Sequence, residues 1–217
     1  MLFVGNSMTY VNDTPTTLDR LARSGGKHVA VRALAVAGAR LADHLARPES
    51  FTSLRASSWD VVVLQEQSQI PAIDAWRKQE MYPAARRFAA EIRTRGARPL
   101  LYETAGYRRG SPELGLRGYR SMQLALARGY AEVGTRLGVE VAPAGTALLA
   151  ANADDWPALT WEFDGHHPGP ASAYAAACVF YARIFRESPR GLRFHGGLPA
   201  ELAARLQESA ARLVLGR

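Results

Sequence analysis

Trp59-Asp60-Val61-Val62-Val63-Leu64 is the stretch that decides the fold. Its apolar residues run on without the polar alternation of a half-solvated strand. Such a run suits a strand covered on both faces, as in a parallel sheet with helices packed on either side. Working outward, Leu2-Phe3-Val4 reads as a first strand ending at Gly5. A helix is expected to start near Thr14-Pro15, since proline is tolerated in a first turn, and to stop at Gly25-Gly26. His28 to Ala35 is a second strand-like run. After the Trp59–Leu64 strand, Trp76 to Arg95 has helical periodicity and Pro99-Leu100-Leu101-Tyr102 reads as a fourth strand. Leu116 to Leu137 is a long helical stretch. Val139-Glu140-Val141, just past Gly138, makes a short fifth strand, and helices are expected over Ala171 to Arg186 and Pro199 to Leu215. Short β-type runs alternating with longer helical ones predict an α/β protein. The expected architecture is a three-layer α/β/α flavodoxin-like fold around a central, mostly parallel five-stranded sheet. A single domain is expected over residues 1–217. The segments around Arg108-Arg109-Gly110-Ser111-Pro112 and Asp154-Asp155-Trp156-Pro157 read as surface loops.

Composition narrows the classes. Apolar residues make up 47% and charged residues 22% of the 217, an ordinary balance for a globular protein. No stretch approaches the ~20 uninterrupted apolar residues of a membrane span, so a soluble protein is expected. The net charge of +7 is almost all arginine, because Lys27 and Lys78 are the sole lysines. These arginines sit among alanines and leucines at helical spacing, as on a solvated helix face. Without a basic tail or an aromatic-interleaved patch, no nucleic-acid partner is expected. Cys178 is the only cysteine, which excludes an internal disulfide and a cysteine metal cluster. Within Ala175-Ala176-Ala177-Cys178-Val179-Phe180 it reads as a small buried hydrophobe. The strand pattern begins at Leu2 with no leader-like segment ahead of it. The compartment stays open between the cytoplasm and a secreted form whose signal peptide has been removed.

Ligands of open α/β sheets bind beyond the carboxyl ends of the strands. That rule selects Gly5-Asn6-Ser7, Ala37-Gly38-Ala39, Gln65-Glu66-Gln67-Ser68 and Glu103-Thr104. Ser7 directly follows a strand, where its hydroxyl can face the crevice, although a serine there is also a routine turn or capping residue. Its support lies in Asp164-Gly165-His166-His167-Pro168. An aspartate three residues ahead of a histidine can hold the imidazole Nδ1–H from one loop and leave Nε2 free to take a serine proton. The same residues fit a polar loop or a helix cap. A metal site is disfavoured, since no third ligand has a recognisable spacing and no H-E-x-x-H occurs. No metal and no cofactor are expected. The nucleophile elbow G-x-S-x-G is also absent, because Thr9 stands where its last glycine would fall.

Phe3-Val4-Gly5-Asn6-Ser7-Met8-Thr9-Tyr10 and Asp164-Gly165-His166-His167-Pro168 together resemble the first and last blocks of the SGNH (GDSL-like) hydrolase superfamily. The first follows the G-N-S variant and the last follows D-x-x-H. The resemblance runs from the first strand to about Pro189. It implies a serine esterase with Ser7 as nucleophile, His167 as base and Asp164 as its orienting carboxylate. Ala37-Gly38-Ala39 falls where the second block supplies a glycine. The third block departs from the pattern, because Gln65-Glu66-Gln67-Ser68 replaces the usual G-x-N-D. The oxyanion donors implied are the Ser7 and Gly38 backbone N–H groups and the Gln67 amide, with Gln65 as the alternative to Gln67. Asn6, Tyr10, Gln65, Tyr107 and His166 are candidate substrate contacts. Tyr102, Trp161 and Phe163 are further aromatics near the crevice that fit a core role as well. His28, His44 and His195 have no partner pattern.

The expected reaction is hydrolysis of a carboxylic ester, short-chain or O-acetyl and carried by a small molecule or a glycan, through an acyl-Ser7 intermediate. Two alternatives remain. An acyltransferase would use the same triad with another acceptor in place of water, and a non-catalytic domain would bind anionic polymers through its arginines. The oligomeric state is not read from the sequence.

Overall fold

The computed structural model describes residues 1–151 and 158–216, so the Asp154–Pro157 loop lies outside the described residues. β1 (Leu2–Gly5) leads into a short helix α1 (Ser7–Tyr10) and then α2 (Thr14–Ser24). β2 (Arg32–Ala35) is followed by α3 (Leu41–Leu45) and α4 (Pro48–Arg55). β3 (Val61–Leu64) leads to α5 (Asp74–Trp76), a π-helical stretch over Arg77–Met81 and α6 (Tyr82–Arg93). Then come β4 (Arg98–Glu103), a small hairpin of β5 (Gly110–Ser111) and β6 (Leu116–Arg117), and α7 (Gly118–Leu137). β7 (Glu140–Pro143), α8 (Ala144–Ala151), α9 (Pro170–Phe185) and α10 (Ala200–Leu215) follow.

The five long strands form one sheet in the order β2-β1-β3-β4-β7, every neighbouring pair parallel. This is the flavodoxin-like strand order, whose direction of winding reverses between β1 and β3. Strand alternation divides the core in two. Phe3, Val61, Val63, Leu100 and Ala142 face α2, α8, α9 and α10. Leu2, Val4, Val62, Leu64 and Leu101 face the side that holds Leu41, Leu54, Phe88 and Tyr130. Val62, Val63 and Leu64 are wholly buried, which is why their run carries no alternation. Burying one such side chain is worth ~1.5–3 kcal/mol, so a polar substitution in β3 would strike both layers. Cys178 lies in the same core, on α9, and burial pushes its thiol up, as befits an inert small hydrophobe. Among the described residues no helix is long and apolar enough to cross a membrane.

Several boundaries differ from the sequence expectation. The second strand starts at Arg32 rather than His28, because its only sheet neighbour, β1, first pairs through Leu2 opposite Arg32. The helix expected over Trp76–Arg95 is interrupted by the π-helical stretch, where the Tyr82 N–H reaches back to the Arg77 carbonyl. Pro83, which has no N–H to donate, follows at once in the first turn of α6. Leu116-Arg117 belongs to the hairpin and not to α7, pairing with Gly110-Ser111. Gly110 and Ser111 are therefore buried and not part of a surface loop. Gly110 has φ of +69° and its Cα lies against the Leu116 carbonyl, a place a side chain could not occupy.

Candidate active site

β1, β2 and β3 end side by side at the point where the sheet reverses, and the residues beyond them converge on one cleft of about 400 Å³. Ser7, Gly38, Gln67, Tyr107, His166 and His167 are among its lining residues. Ser7 is the first residue of α1, a helix capped by Asn6, whose Oδ1 accepts from the Met8 N–H at 3.0 Å. The Asn6 Nδ2 donates to the Ala39 carbonyl at 2.9 Å. Both ends of that amide are thus used to shape the turn, so Asn6 borders the cleft as a fixed wall.

The turn rests on a buried floor. Gln65 Oε1 accepts from the Asn6 N–H at 2.8 Å and from Thr9 Oγ1 at 3.0 Å, and its Nε2 donates to the Glu66 carbonyl. Gln65 is wholly buried with both amide ends engaged and is not among the residues lining the cleft, so its amide is not free for the substrate contact or oxyanion role that the sequence left open to it. Gly5 leaves the room this floor requires. A Cβ there would lie 2.5 Å from Gln65 Oε1 and 2.7 Å from Thr9 Oγ1. The Gly5 carbonyl accepts from Val36 N–H at 3.1 Å and meets His44 Nε2 at 2.7 Å. Burial pushes the His44 imidazole below its ordinary range, which favours the neutral ring with Nε2–H donating to that carbonyl. His44, unassigned in the sequence, braces the strand that carries Ser7.

His167 Nε2 stands 2.9 Å from Ser7 Oγ, and His167 Nδ1 stands 2.5 Å from Asp164 Oδ2. A carboxylate on the Nδ1 side favours the Nδ1–H tautomer and leaves Nε2 to accept the serine hydroxyl. Asp164 is itself exposed, so hydrogen bonds rather than burial hold it. Its Oδ1 accepts from the N–H of His166 at 2.8 Å and of His167 at 3.0 Å. Desolvation raises its pKa, but the bonds from His167 and the two N–H groups outweigh that and hold the carboxyl down to about 2. The loop is closed by Glu162 N–H to the His167 carbonyl at 3.0 Å and Gly169 N–H to the Thr160 carbonyl at 2.9 Å. Asn12, in the left-handed conformation, ties it to the Ser7 segment. Its Nδ2 donates to Glu162 Oε1 at 2.6 Å and to the Pro168 carbonyl at 2.8 Å. Sequence reasoning missed Asn12, although the pair Asn12-Asp13 is of the type that tolerates positive φ.

The Ser7 N–H, the Gly38 N–H and Gln67 Nε2 have no acceptor among the described residues, and all three residues border the cleft. Gln67 Oε1 accepts from the Gln69 N–H at 2.9 Å, so the NH2 end of its amide is the end left over. Glu66, between the two glutamines, is buried. Its Oε1 accepts from the N–H of Leu41 at 3.0 Å and of Gln67 at 2.7 Å, while Oε2 has no partner. Burial pushes this carboxyl up to about 7. Of the aromatics, Tyr10 and Tyr107 border the cleft. Tyr107 lies 4.4 Å from the His166 ring, centroid to centroid. Tyr102 and Trp161 are core residues, and Phe163 is fully exposed beside Asp164.

A flavodoxin-like sheet with a serine, a histidine and an aspartate in hydrogen-bonded series at its reversal point defines a class, the α/β/α hydrolases that carry Asp and His on one late loop. The comparisons narrow it further. The chain is 31% identical to a Slackia heliotrinireducens protein assigned to the SGNH hydrolases, covering 84% of this chain and 97% of that one with a TM-score of 0.69. The chain belongs to the SGNH hydrolase superfamily. A DUF4886 family protein from Bacteroides uniformis superposes over 99% of this chain and 93% of its own, with a TM-score of 0.84 and 17% identity. Axe2, an acetyl-xylooligosaccharide esterase from Geobacillus stearothermophilus, superposes as a mutant over 84% of this chain and 92% of its own, at 17% identity and a TM-score of 0.62. The last two likenesses concern the fold alone. No protein-family model matches the chain, and no curated protein matches it in sequence.

Proposed function

We propose that this protein is a serine esterase that hydrolyses a carboxylic ester of a short acyl group, with an O-acetylated carbohydrate as the leading substrate class. The observation that carries the reading is the continuous series Ser7 Oγ, His167 Nε2, His167 Nδ1, Asp164 Oδ2, with contacts of 2.9 and 2.5 Å. Ser7 Oγ attacks the acyl carbon as His167 Nε2 takes its proton, and Asp164 stabilises the imidazolium. The oxyanion is met by the Ser7 N–H, the Gly38 N–H and Gln67 Nε2, donors that have no other acceptor to give up. Collapse expels the alcohol, which receives the proton from His167. Water, deprotonated by the same nitrogen, then attacks the acyl-Ser7 ester and releases the acid and free serine. The cleft of about 400 Å³ is at the small end of ligand sites, which favours a short acyl group. The carbohydrate assignment is supported by the shared fold of the acetyl-xylooligosaccharide esterase.

The test is turnover of p-nitrophenyl acetate by the wild type and by Ser7→Ala, with intact-mass detection of a fluorophosphonate adduct. Turnover and labelling that both vanish in Ser7→Ala support the reading. A wild type that is neither active nor labelled refutes it.

A further inference from the structure

A second cavity, of about 310 Å³, lies against the cleft and is lined by Arg108, Arg109, Phe163, Asp164, Gly165 and His166. His166 borders both spaces, and the Arg108 N–H donates to the Gly165 carbonyl at 2.8 Å, so the two loops that form the cavity are joined. Two features of its wall have no use in the ester cleavage itself. Arg108 and Arg109 are exposed and have no carboxylate partner among the described residues. Phe163 projects fully into solvent at the edge of this cavity. Asp164, the one acid in the wall, has both oxygens occupied by His166 and His167, and its single negative charge is outnumbered by the two guanidinium charges.

The position of this cavity gives it a role. In the proposed mechanism His167 hands its proton to the departing alcohol, so the alcohol portion of the ester must lie on the His167 side of Ser7. From there the neighbouring space past His166 is the arginine cavity. We propose that it is a leaving-group subsite for an ester whose alcohol carries a carboxylate or a phosphate, with Arg108 and Arg109 holding the anion and Phe163 covering a ring that links it to the ester. Guanidinium groups match both anions through paired N–H donors. This assignment rests on the esterase reading for the direction of the alcohol, and its test includes a measurement that needs no turnover.

Two aryl acetates provide the anionic arms, 4-acetoxybenzoate for the carboxylate and 4-acetoxyphenyl phosphate for the phosphate, each measured against neutral methyl 4-acetoxybenzoate. The readout is the preference, the ratio of kcat/KM for the anionic ester to that for the neutral one. In R108A/R109A the preference for at least one anionic ester should fall by about tenfold or more, through KM. Which ester responds distinguishes the carboxylate from the phosphate. R86A/R87A, which removes the same charge from exposed positions on α6, should keep the preference within about twofold. An unchanged preference in R108A/R109A for both esters, or an equal fall in the two double variants, overturns the proposal. Phenyl phosphate and benzoate are also titrated against Ser7→Ala by calorimetry, with and without R108A/R109A. Loss of binding on removing the arginines supports the subsite even if no ester is turned over. Equal binding with and without them refutes it whatever the chemistry of Ser7.

Discussion

Replacing Glu66 with glutamine should make the protein more stable at pH 8 than at pH 5, relative to the wild type. The carboxyl lies under the cleft with one oxygen receiving two backbone N–H groups and the other buried without a partner. Burial moves it from an ordinary 4.5 up to about 7. Between those values the folded protein holds a proton that the unfolded chain has released. The folded state binds more protons there, so wild-type stability falls as pH rises through the interval and levels off above it. At about 1.4 kcal/mol per pH unit of displacement, the whole fall amounts to about 3 kcal/mol, most of it between pH 5 and pH 8. Glutamine keeps the oxygen that accepts from Leu41 and Gln67 but cannot ionise. Its new NH2 adds a constant offset of ~1–3 kcal/mol if unpaired, which is the same at both pH values. The readout is therefore the change in the difference between variant and wild type across pH, by urea unfolding at pH 5 and pH 8. Glu103 is also pushed up to about 7 by burial, but it is present in both proteins and cancels. A growth of about 2–3 kcal/mol in favour of Glu66→Gln is expected, or ~4–12 °C in Tm for a chain of this size. Parallel pH profiles for the two proteins would show that Glu66 is not a buried titrating group.

Three further outcomes follow from the site. Gln67→Ala should lower kcat by ~10²–10³ with little change in KM, since the amide is assigned to the oxyanion and not to the ground-state ester. A steady-state loss under about threefold would remove Gln67 from that role. Asp164→Asn should lower kcat by ~10³–10⁴ while fluorophosphonate labelling slows in parallel, because the wrong tautomer presents N–H to Ser7. Unaltered labelling would show that another group orients His167. Gly5→Ala should lower Tm and slow turnover together, as the new methyl meets Gln65 Oε1 and Thr9 Oγ1 at 2.5 and 2.7 Å. Forcing atoms into a packed floor costs ~1–3 kcal/mol, so a Tm unchanged in differential scanning calorimetry would contradict the described packing.

The sheet was legible because its central strands are apolar on both faces, and periodicity reads burial directly. The proximity of Ser7, Asp164 and His167 was legible for a different reason. A strand end and a D-x-x-H loop are local patterns, and the two needed only one long-range contact to meet. What sequence did not reveal is what depends on close contact between distant segments. The burial of Gly110-Ser111 depends on Leu116, and the short α1 depends on an Asn6 cap held by Ala39. His44 lies 39 residues from the carbonyl it braces, and Asn12 lies 150 residues from Glu162. Nothing in the spacing of such residues marks them, since a lone histidine or asparagine is as often a solvated surface group. The choice between Gln65 and Gln67 was open for the same reason. Strand alternation would put both on one face, but the chain leaves β3 at Leu64, and beyond that point the period no longer applies.

Gln65-Glu66-Gln67 can now be understood as three separate solutions to one constraint. In the proposed mechanism the end of β3 has to support the turn that carries Ser7, join the Leu41 segment that follows Gly38, and supply a donor to the cleft. Gln65 supports the turn from beneath, and it can do so because Gly5 offers no Cβ to obstruct it. Glu66 links the segments, using one carboxylate oxygen to bind the N–H groups of Leu41 and Gln67. That bond pins the Gln67 backbone, and the Gln69 N–H pins its side-chain oxygen, so the long glutamine arm loses much of its rotational freedom before substrate arrives. A donor on a longer side chain than asparagine is useful to an oxyanion only if it is held in advance, because ordering it during the reaction would cost rotamer entropy of up to ~2 kcal/mol. The departure from G-x-N-D is therefore coherent as a set. The glutamine requires the glutamate that fixes its backbone, and the buried glutamate accepts a raised pKa as the consequence of standing there.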